Sequence, residues 1–245
     1  MASLSVQLYS VRDALAADPS AALARLAGIG FEEVELFDLV RWGPALEAPL
    51  ADLGLVSAVA HASIVGLDDP EPVFAAARSL GVTTVIEPTV RDGWTDAAGV
   101  ERIAQRLNAL AGAAAEHGLT IGYHNHWWEF GEIGRRTALE HLDEHLEPSV
   151  VLEFDAYWAA VAGMDIAPLA ARLAGRIRHL HVKDGPVEPD PSTQVAAGSG
   201  AADLTGVLAA VPDATRVLEF DRSDAEVFAD LAAGVRWVRA QEVGR

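Results

Sequence analysis

119-LTIGYHNHWWEF-130 begins as a core strand and does not finish as one. A short apolar, β-favouring run gives way to two histidines, an asparagine, two tryptophans and a glutamate. This is either a poorly patterned core strand or the rim of a site, and the choice depends on whether other strands end the same way. Runs of the same kind occur at 3-SLSVQLY-9, 31-FEEVELF-37, 55-LVSAVAH-61, 82-VTTVIEP-88, 150-VVLEFD-155, 177-IRHLHV-182 and 215-TRVLEF-220. Between them lie Ala/Leu-rich segments with helical spacing, such as 20-SAALARLAGIG-30 and 99-GVERIAQRLNALAGAAAEHG-118. Glycines close these segments where a left-handed cap residue is wanted, and Asp18-Pro19-Ser20 and Asp69-Pro70 are helix starts.

Strict alternation of strand and helix implies parallel strands joined by right-handed crossovers. Eight strands, seven intervening helices and a closing helix at about 224–240 predict a single (β/α)8 TIM barrel over residues 1–245. The rival is an open doubly wound sheet, which has fewer strands and a glycine-rich first loop. Here the first loop is 9-YSVRDALAADPS-20, without glycine, so the dinucleotide fingerprint is missing. The longest irregular piece, 184-DGPVEPDPSTQVAAGSG-200, is long enough to suspect function. Its Gly198-Ser199-Gly200 turn is either a phosphate cradle or only a flexible loop. Lys183 has few basic neighbours there, so a phosphorylated substrate is not assumed.

In such barrels the active site lies at the C-terminal strand ends, and residues two apart share a face. Strand five then presents His124 and His126 together, strand six Glu153 and Asp155, strand seven His179, His181 and Lys183, and strand eight Glu219 and Asp221. Gln7 and Tyr9, Glu33 and Glu35, His61 and Glu87 supply the first four strands. The complementary positions, including Leu152, Phe154, Leu180, Val182, Leu218 and Phe220, are apolar and suit the layer between sheet and helices. The opening stretch is therefore one of eight strand ends directed at a shared polar mouth.

Composition narrows the function. The chain has 245 residues, half of them hydrophobic, and no cysteine, which removes disulfides, thiolate metal sites and cysteine nucleophiles. A net charge of −18 argues against a nucleic-acid partner. No apolar run is long enough to span a membrane, and the first residues lack the pattern of a signal peptide, so a cytoplasmic location is expected. The mouth offers imidazole and carboxylate, a donor set for Mn2+, Co2+, Zn2+ or Fe2+ rather than Ca2+. Asp155, His181 and Glu219 come from adjacent strands, and His124 completes a contiguous arc for one divalent ion.

The ordered pieces 5-SVQLYSVRD-13, 30-GFEEVEL-36, 122-GYHNHWWEF-130, 152-LEFDAYWAAVAGMD-165, 179-HLHVKD-184 and 217-VLEFD-221 resemble the xylose-isomerase-like (β/α)8 enzymes, the sugar phosphate isomerase/epimerase family. The resemblance implies a divalent metal held by residues on strands five to eight, with Asp155, His181 and Glu219 at the last three positions. At the strand-five position the family has Glu, whereas this chain has His124. The family's two-glutamate proton exchange therefore does not carry over directly. The 123-YHNH-126 run also resembles inosose dehydratases of the same fold. The family's apurinic endonucleases need more histidines and a DNA-binding surface, and the acidic balance opposes that reading.

The resulting expectation is a metal-dependent isomerase or epimerase acting on a ketose or related polyhydroxy carbonyl compound. An inosose-type dehydratase is the alternative, and a non-catalytic sugar-binding barrel is the rival from another class. His124, Asp155, His181 and Glu219 are the expected metal ligands. Glu219 is expected to move a proton with Lys183 or His124, and Gln7, Tyr9, His61, Glu87, His126 and Trp158 are expected to contact substrate. Each has a plainer reading: Asp155 as a helix cap, His181 as a buried histidine bonded to backbone, Lys183 as a salt-bridge partner, Trp158 as ordinary packing. His117, His141 and His145 fall on outer helices and are expected to be solvated. The expected partner is a small sugar or polyol, with no nucleic acid and no membrane, and a homo-oligomer is left open.

Overall fold

The computed structural model describes residues 3–222 and 226–243. Eight parallel strands close into one barrel: β1 (Leu4–Gln7), β2 (Glu33–Phe37), β3 (Val56–His61), β4 (Thr84–Glu87), β5 (Thr120–His124), β6 (Val151–Asp155), β7 (Ile177–Val182) and β8 (Thr215–Leu218). Pairing runs in chain order, and β1 joins β8 through Leu4↔Arg216, Ser5↔Val217 and Val6↔Leu218. A two-residue antiparallel ribbon, Glu132–Ile133 with Arg136–Thr137, is the only other sheet among the described residues. No described helix is long and apolar enough to cross a membrane.

Helices start where carboxylates or hydroxyls meet the first free amides. Asp18 accepts from the Ala21 amide, Asp96 from Gly99 and Asp203 from Gly206, while Thr137 and Glu140 form a reciprocal capping box. Gly30 ends Pro19–Ile29 with φ of 104°, a conformation open to glycine at little cost. The closing helix is described over Val227–Val243; the expected start near 224 lies outside the described residues. β1 is shorter than expected, because the chain turns into a 3-10 helix at Leu8–Val11 and carries Tyr9 off the strand to the rim. β8 ends at Leu218, which leaves Glu219 just beyond the ladder.

Strand register decides which residues meet inside. His124 lies beside Glu153, Asp155 beside His181, and Gln7 beside Glu35. These pairs all face the barrel interior, as alternation predicts. β4 departs from the expectation. Ile86 pairs with Gly122, and Glu87 pairs with Tyr123, whose parity is opposite to that of His124. Ile86 therefore faces inward and Glu87 outward. A Cβ on Gly122 would lie 2.4 Å from Ile86 Cδ1 and 2.9 Å from Val151 Cγ2, so the interior is closed at this level by direct strand contact.

The irregular segment after β7 is neither a free loop nor an open anion cradle. The buried Asp184 carboxylate accepts from the amides of Gly185, Gly198, Gly200 and Ala202, and its backbone bridges to Val195. The Gly198 and Gly200 amides considered for a phosphate are already bonded to an internal anion.

Candidate active site

A cavity of about 720 Å³ opens at the C-terminal ends of the strands, a size typical of small-molecule sites. Tyr9, His61, His124, His126, Trp127, Trp158, Glu219 and Asp221 are among its lining residues. Beneath it is a layer of charged groups withdrawn from solvent: Glu35, Glu153, Asp155, His181 and Lys183. Buried charges are expensive unless they are paired, and here each has close partners.

The layer has two levels. At the lower one, Glu153 Oε2 lies 2.5 Å from His61 Nε2, 3.1 Å from His124 Nδ1 and 3.1 Å from His181 Nε2. Glu35 Oε1 lies 3.0 Å from His61 Nε2 and 3.1 Å from His181 Nε2, and accepts from Gln7 Nε2 at 2.6 Å. At the upper level, His181 Nδ1 is 2.6 Å from Glu219 Oε2, and His124 Nε2 is 3.8 Å from Asp155 Oδ2. Lys183 Nζ reaches Glu219 Oε2 at 2.7 Å, Asp155 Oδ2 at 2.9 Å and Asp221 Oδ2 at 3.0 Å. His124 and His181 thus join the levels, each with one nitrogen on Glu153 and the other on the upper carboxylates.

These contacts set the charge states. Burial opposes the charge on His61, but Glu153 and Glu35 outweigh it and lift its pKa to about 10. His181 is likewise pushed up, with burial overcome by Glu153, Glu219 and Glu35. Burial also opposes the Lys183 ammonium, yet Asp155, Asp221 and Glu219 hold it protonated. Burial favours neutral Glu219, but Lys183 and His181 keep it well below the usual carboxylate range. In Asp155, burial prevails over Lys183 and raises the pKa to about 6. His124 is pushed down by burial and by the neighbouring His181, so it stays neutral. His126 falls to about 3, mainly through burial and then Lys183.

Two overlapping sets bring ligand atoms within reach of one cation: His61, His124, Glu153 and His181, and His124, Asp155, His181 and Glu219. In the lower set Glu153 Oε2 is already surrounded by three imidazole nitrogens. In the upper set Asp155 Oδ2, His181 Nδ1 and Glu219 Oε2 are buried with no well-aligned hydrogen bond among the described residues. Two carboxylates and two imidazoles are a donor set that fits a transition metal, which would take the place of the Lys183 ammonium contacts and of a His181 proton. The lower carboxylates bind the far nitrogens of the two histidines and so direct His124 Nε2 and His181 Nδ1 upward, the arrangement by which outer groups orient metal ligands.

The remaining expected residues divide between cavity and frame. Tyr9, His61, His126 and Trp158 line the cavity. Trp158 packs 4.7 Å from Trp127, and His126 stacks on Trp128 at 4.2 Å. Trp158 Nε1 and His126 Nδ1 are buried without a hydrogen-bond partner among the described residues. Gln7 does not line the cavity; its side chain spans Glu35 and the Tyr9 amide and is spent within the barrel. Glu87 does not line it either. Facing outward, its carboxylate accepts from the Ile64, Val65 and Thr89 amides and holds the loop after β3. Asp155 is both a cap and a candidate ligand, because Oδ1 accepts from the Trp158 amide at 2.8 Å while Oδ2 faces Lys183. His117 is not simply solvated; it pairs with Glu71 at 3.1 Å.

Parity with Asp155 marks Glu153 as inward, and the structure makes it the centre of the lower level, a role that spacing alone does not reveal. Glu129 was missed, because it sits in a 3-10 turn at Trp128–Phe130 where strand alternation gives no signal. Glu129 is fully buried, accepting from the Tyr123 hydroxyl at 2.7 Å and from the His126 amide at 2.9 Å. Arg91 at the cavity wall, stacked 4.0 Å over Trp128, was missed for the same reason.

The chain matches the family described as xylose isomerase-like TIM barrel over residues 23–241. It is 30% identical over 201 residues to a 2-epi-5-epi-valiolone 7-phosphate 2-epimerase of Actinoplanes sp., covering 79% of this chain and 70% of that protein. It is 38% identical over 85 residues to an inosose dehydratase of Mesomycoplasma hyopneumoniae; that match spans 34% of this chain but only 28% of that protein's length. A solved sugar phosphate isomerase/epimerase from Parabacteroides distasonis superposes with a TM-score of 0.82 at 19% identity, covering 98% of this chain and 94% of the other. At that identity the likeness is one of fold.

Proposed function

This chain belongs to the xylose isomerase-like TIM barrel family, and from that premise we propose a divalent-metal-dependent isomerase or epimerase of a ketose or related polyhydroxy carbonyl compound. The observation that carries this reading is the convergence of buried ligand atoms from His124, Asp155, His181 and Glu219 below a sugar-sized cavity. His124, Asp155, His181 and Glu219 would hold one Mn2+, Co2+, Zn2+ or Fe2+. When bound, such an ion would supply Lewis acidity toward a substrate oxygen and so favour loss of the adjacent C–H proton.

The protein's own groups divide the remaining work. Glu219 borders the cavity and is a carboxylate at neutral pH, so it is the group to take a proton. Lys183 lies below the cavity wall and touches Glu219, Asp155 and Asp221, so it balances their charge and can pass a proton through Glu219 or Asp221. Its place below the wall makes it a proton holder and not a substrate contact. His124 Nδ1 is held by Glu153 while Nε2 stands 3.8 Å from Asp155, which favours a ligand role over that of a mobile base. Tyr9, His61, His126 and Trp158 contact the substrate, with Trp127 and Trp158 presenting an apolar wall to a sugar face.

The second reading is an inosose-type dehydratase, favoured by the local identity to such an enzyme. Both readings begin with proton removal beside a carbonyl and diverge afterwards. The test is incubation of Mn2+-loaded protein with ketose and inosose panels in D2O, followed by NMR. Deuterium at the carbon next to the carbonyl, without loss of water, is the expected result. Loss of water would select the dehydratase, and neither exchange nor product from any member would defeat both.

A further inference from the structure

The outer face of the barrel carries a second group of ligand-type side chains, remote from the cavity. The helix Ala138–His145 ends in 141-HLDEH-145, which sets His141 and His145 four residues apart on one face. Their rings are 4.5 Å apart. Across from them, on the helix Ala97–Ala115, stands Glu101. Glu101 Oε1 is 3.7 Å from His141 Nε2 and 3.8 Å from His145 Nε2, too far for hydrogen bonds. Two imidazole nitrogens and a carboxylate oxygen therefore converge on one point without bonding one another.

Two further observations indicate a ligand at that point. His141 Nε2 is buried and has no hydrogen-bond partner among the described residues. His145 Nδ1 is 2.8 Å from the His141 carbonyl, which can only accept. The Nδ1 hydrogen therefore belongs to that bond, and in the neutral ring the lone pair is on Nε2, directed at Glu101. Glu144 is drawn off by an ion pair with Arg136 and does not compete for the site. The end of the helix is fixed by Asn108, which donates to the His145 carbonyl and accepts from the Glu147 amide.

We infer that Glu101, His141 and His145 form a second, external site for a divalent transition metal, with water completing the coordination. Histidines at i and i+4 on a helix with one carboxylate are a recurrent zinc-type donor set. Closing the present gaps needs only a small side-chain movement. The ion would tie together the helices on either side of β5 in the chain, the strand that ends in His124. This inference does not depend on the proposed activity, because none of its ligands touches the cavity.

The test is calorimetric titration of untagged, metal-stripped full-length protein with Zn2+. It uses the wild type and the Asp155→Asn chain, each with and without His145→Gln. One equivalent per chain should remain in Asp155→Asn. His145→Gln should remove one equivalent from either background, or weaken it at least tenfold, with circular dichroism unchanged. Unaltered stoichiometry and affinity on adding His145→Gln to the wild type would overturn the inference, as would no Zn2+ binding by folded Asp155→Asn. If Asp155→Asn does not fold, the wild-type pair decides alone.

Discussion

Asp155 divides its carboxylate between two partners. Oδ1 caps the helix Ala156–Val161 through the Trp158 amide, while Oδ2 remains for the cation or for Lys183. The sequence offers a helix cap or a metal ligand; the structure shows the cap on Oδ1 and leaves Oδ2 against Lys183, so the proposed ligand role does not compete with the cap. Alanine would remove both, so asparagine is the sharper substitution: it keeps the cap and removes the charged ligand. Glu129 shows what sequence could not convey. Its carboxyl is raised to about 7 by burial, against bonds from Tyr123 and His126. A raised acid pKa means that the folded state prefers the proton. Its stabilising effect is complete below about pH 4.5 and is lost as pH rises through about 7. Glu129→Gln keeps a neutral group of the same shape, with its amide donating to the Tyr123 hydroxyl. Relative to this variant, wild type should lose on the order of 2–3 kcal/mol of stability between pH 4.5 and 8. Urea unfolding of both proteins across that range checks it, and parallel curves would refute it.

At the scale of the element, parity was legible where polar residues repeat on a strand. His124 with His126, Glu153 with Asp155, and His181 with Lys183 declare their inward face by spacing alone. β4 offered a single acid, Glu87, and a single residue cannot declare a face. Its direction was set by register against β5, where one residue of offset exchanges interior for exterior. Gln7 was read correctly as inward, but its depth was hidden, because its bond to Glu35 depends on a strand pairing that sequence does not specify. The segment 184–200 was hidden in another way. Its order comes from one side chain, Asp184, that gathers four amides across the loop. Gly200 is required there, since a Cβ would lie 2.1 Å from Asp184 Oδ1. Asp184→Ala should strand those amides and cost about 1–3 kcal/mol. Hydrogen exchange at Gly198 and Gly200 should accelerate at least tenfold while amides of β5 remain protected; unchanged exchange at these glycines would show that Asp184 does not hold the loop.

At the scale of the whole molecule, eight strand–helix alternations in the sequence were enough to predict the closed barrel, because a parallel sheet of that size without a dinucleotide loop has few other arrangements. Closure then accounts for the chemistry. It brings β2, β3, β5, β6 and β7 to one axis, so that Glu35, His61, His124, Glu153 and His181 share a buried layer although they are far apart in the chain. That layer could not be read strand by strand: it arises only when β1 meets β8 and the interior becomes common to all. Two of its histidines, His124 and His181, direct their upper nitrogens to Asp155 and Glu219, and Lys183 lies against the same oxygens. The central claim is that these upper atoms form one metal site. Elemental analysis of untagged protein in the His145→Gln background, after incubation with Mn2+ and removal of excess, tests it most directly. The account predicts about one Mn2+ per chain, lost on adding Asp155→Asn or Glu219→Ala. Stoichiometric metal retained in both variants, or no metal in their parent, would contradict it.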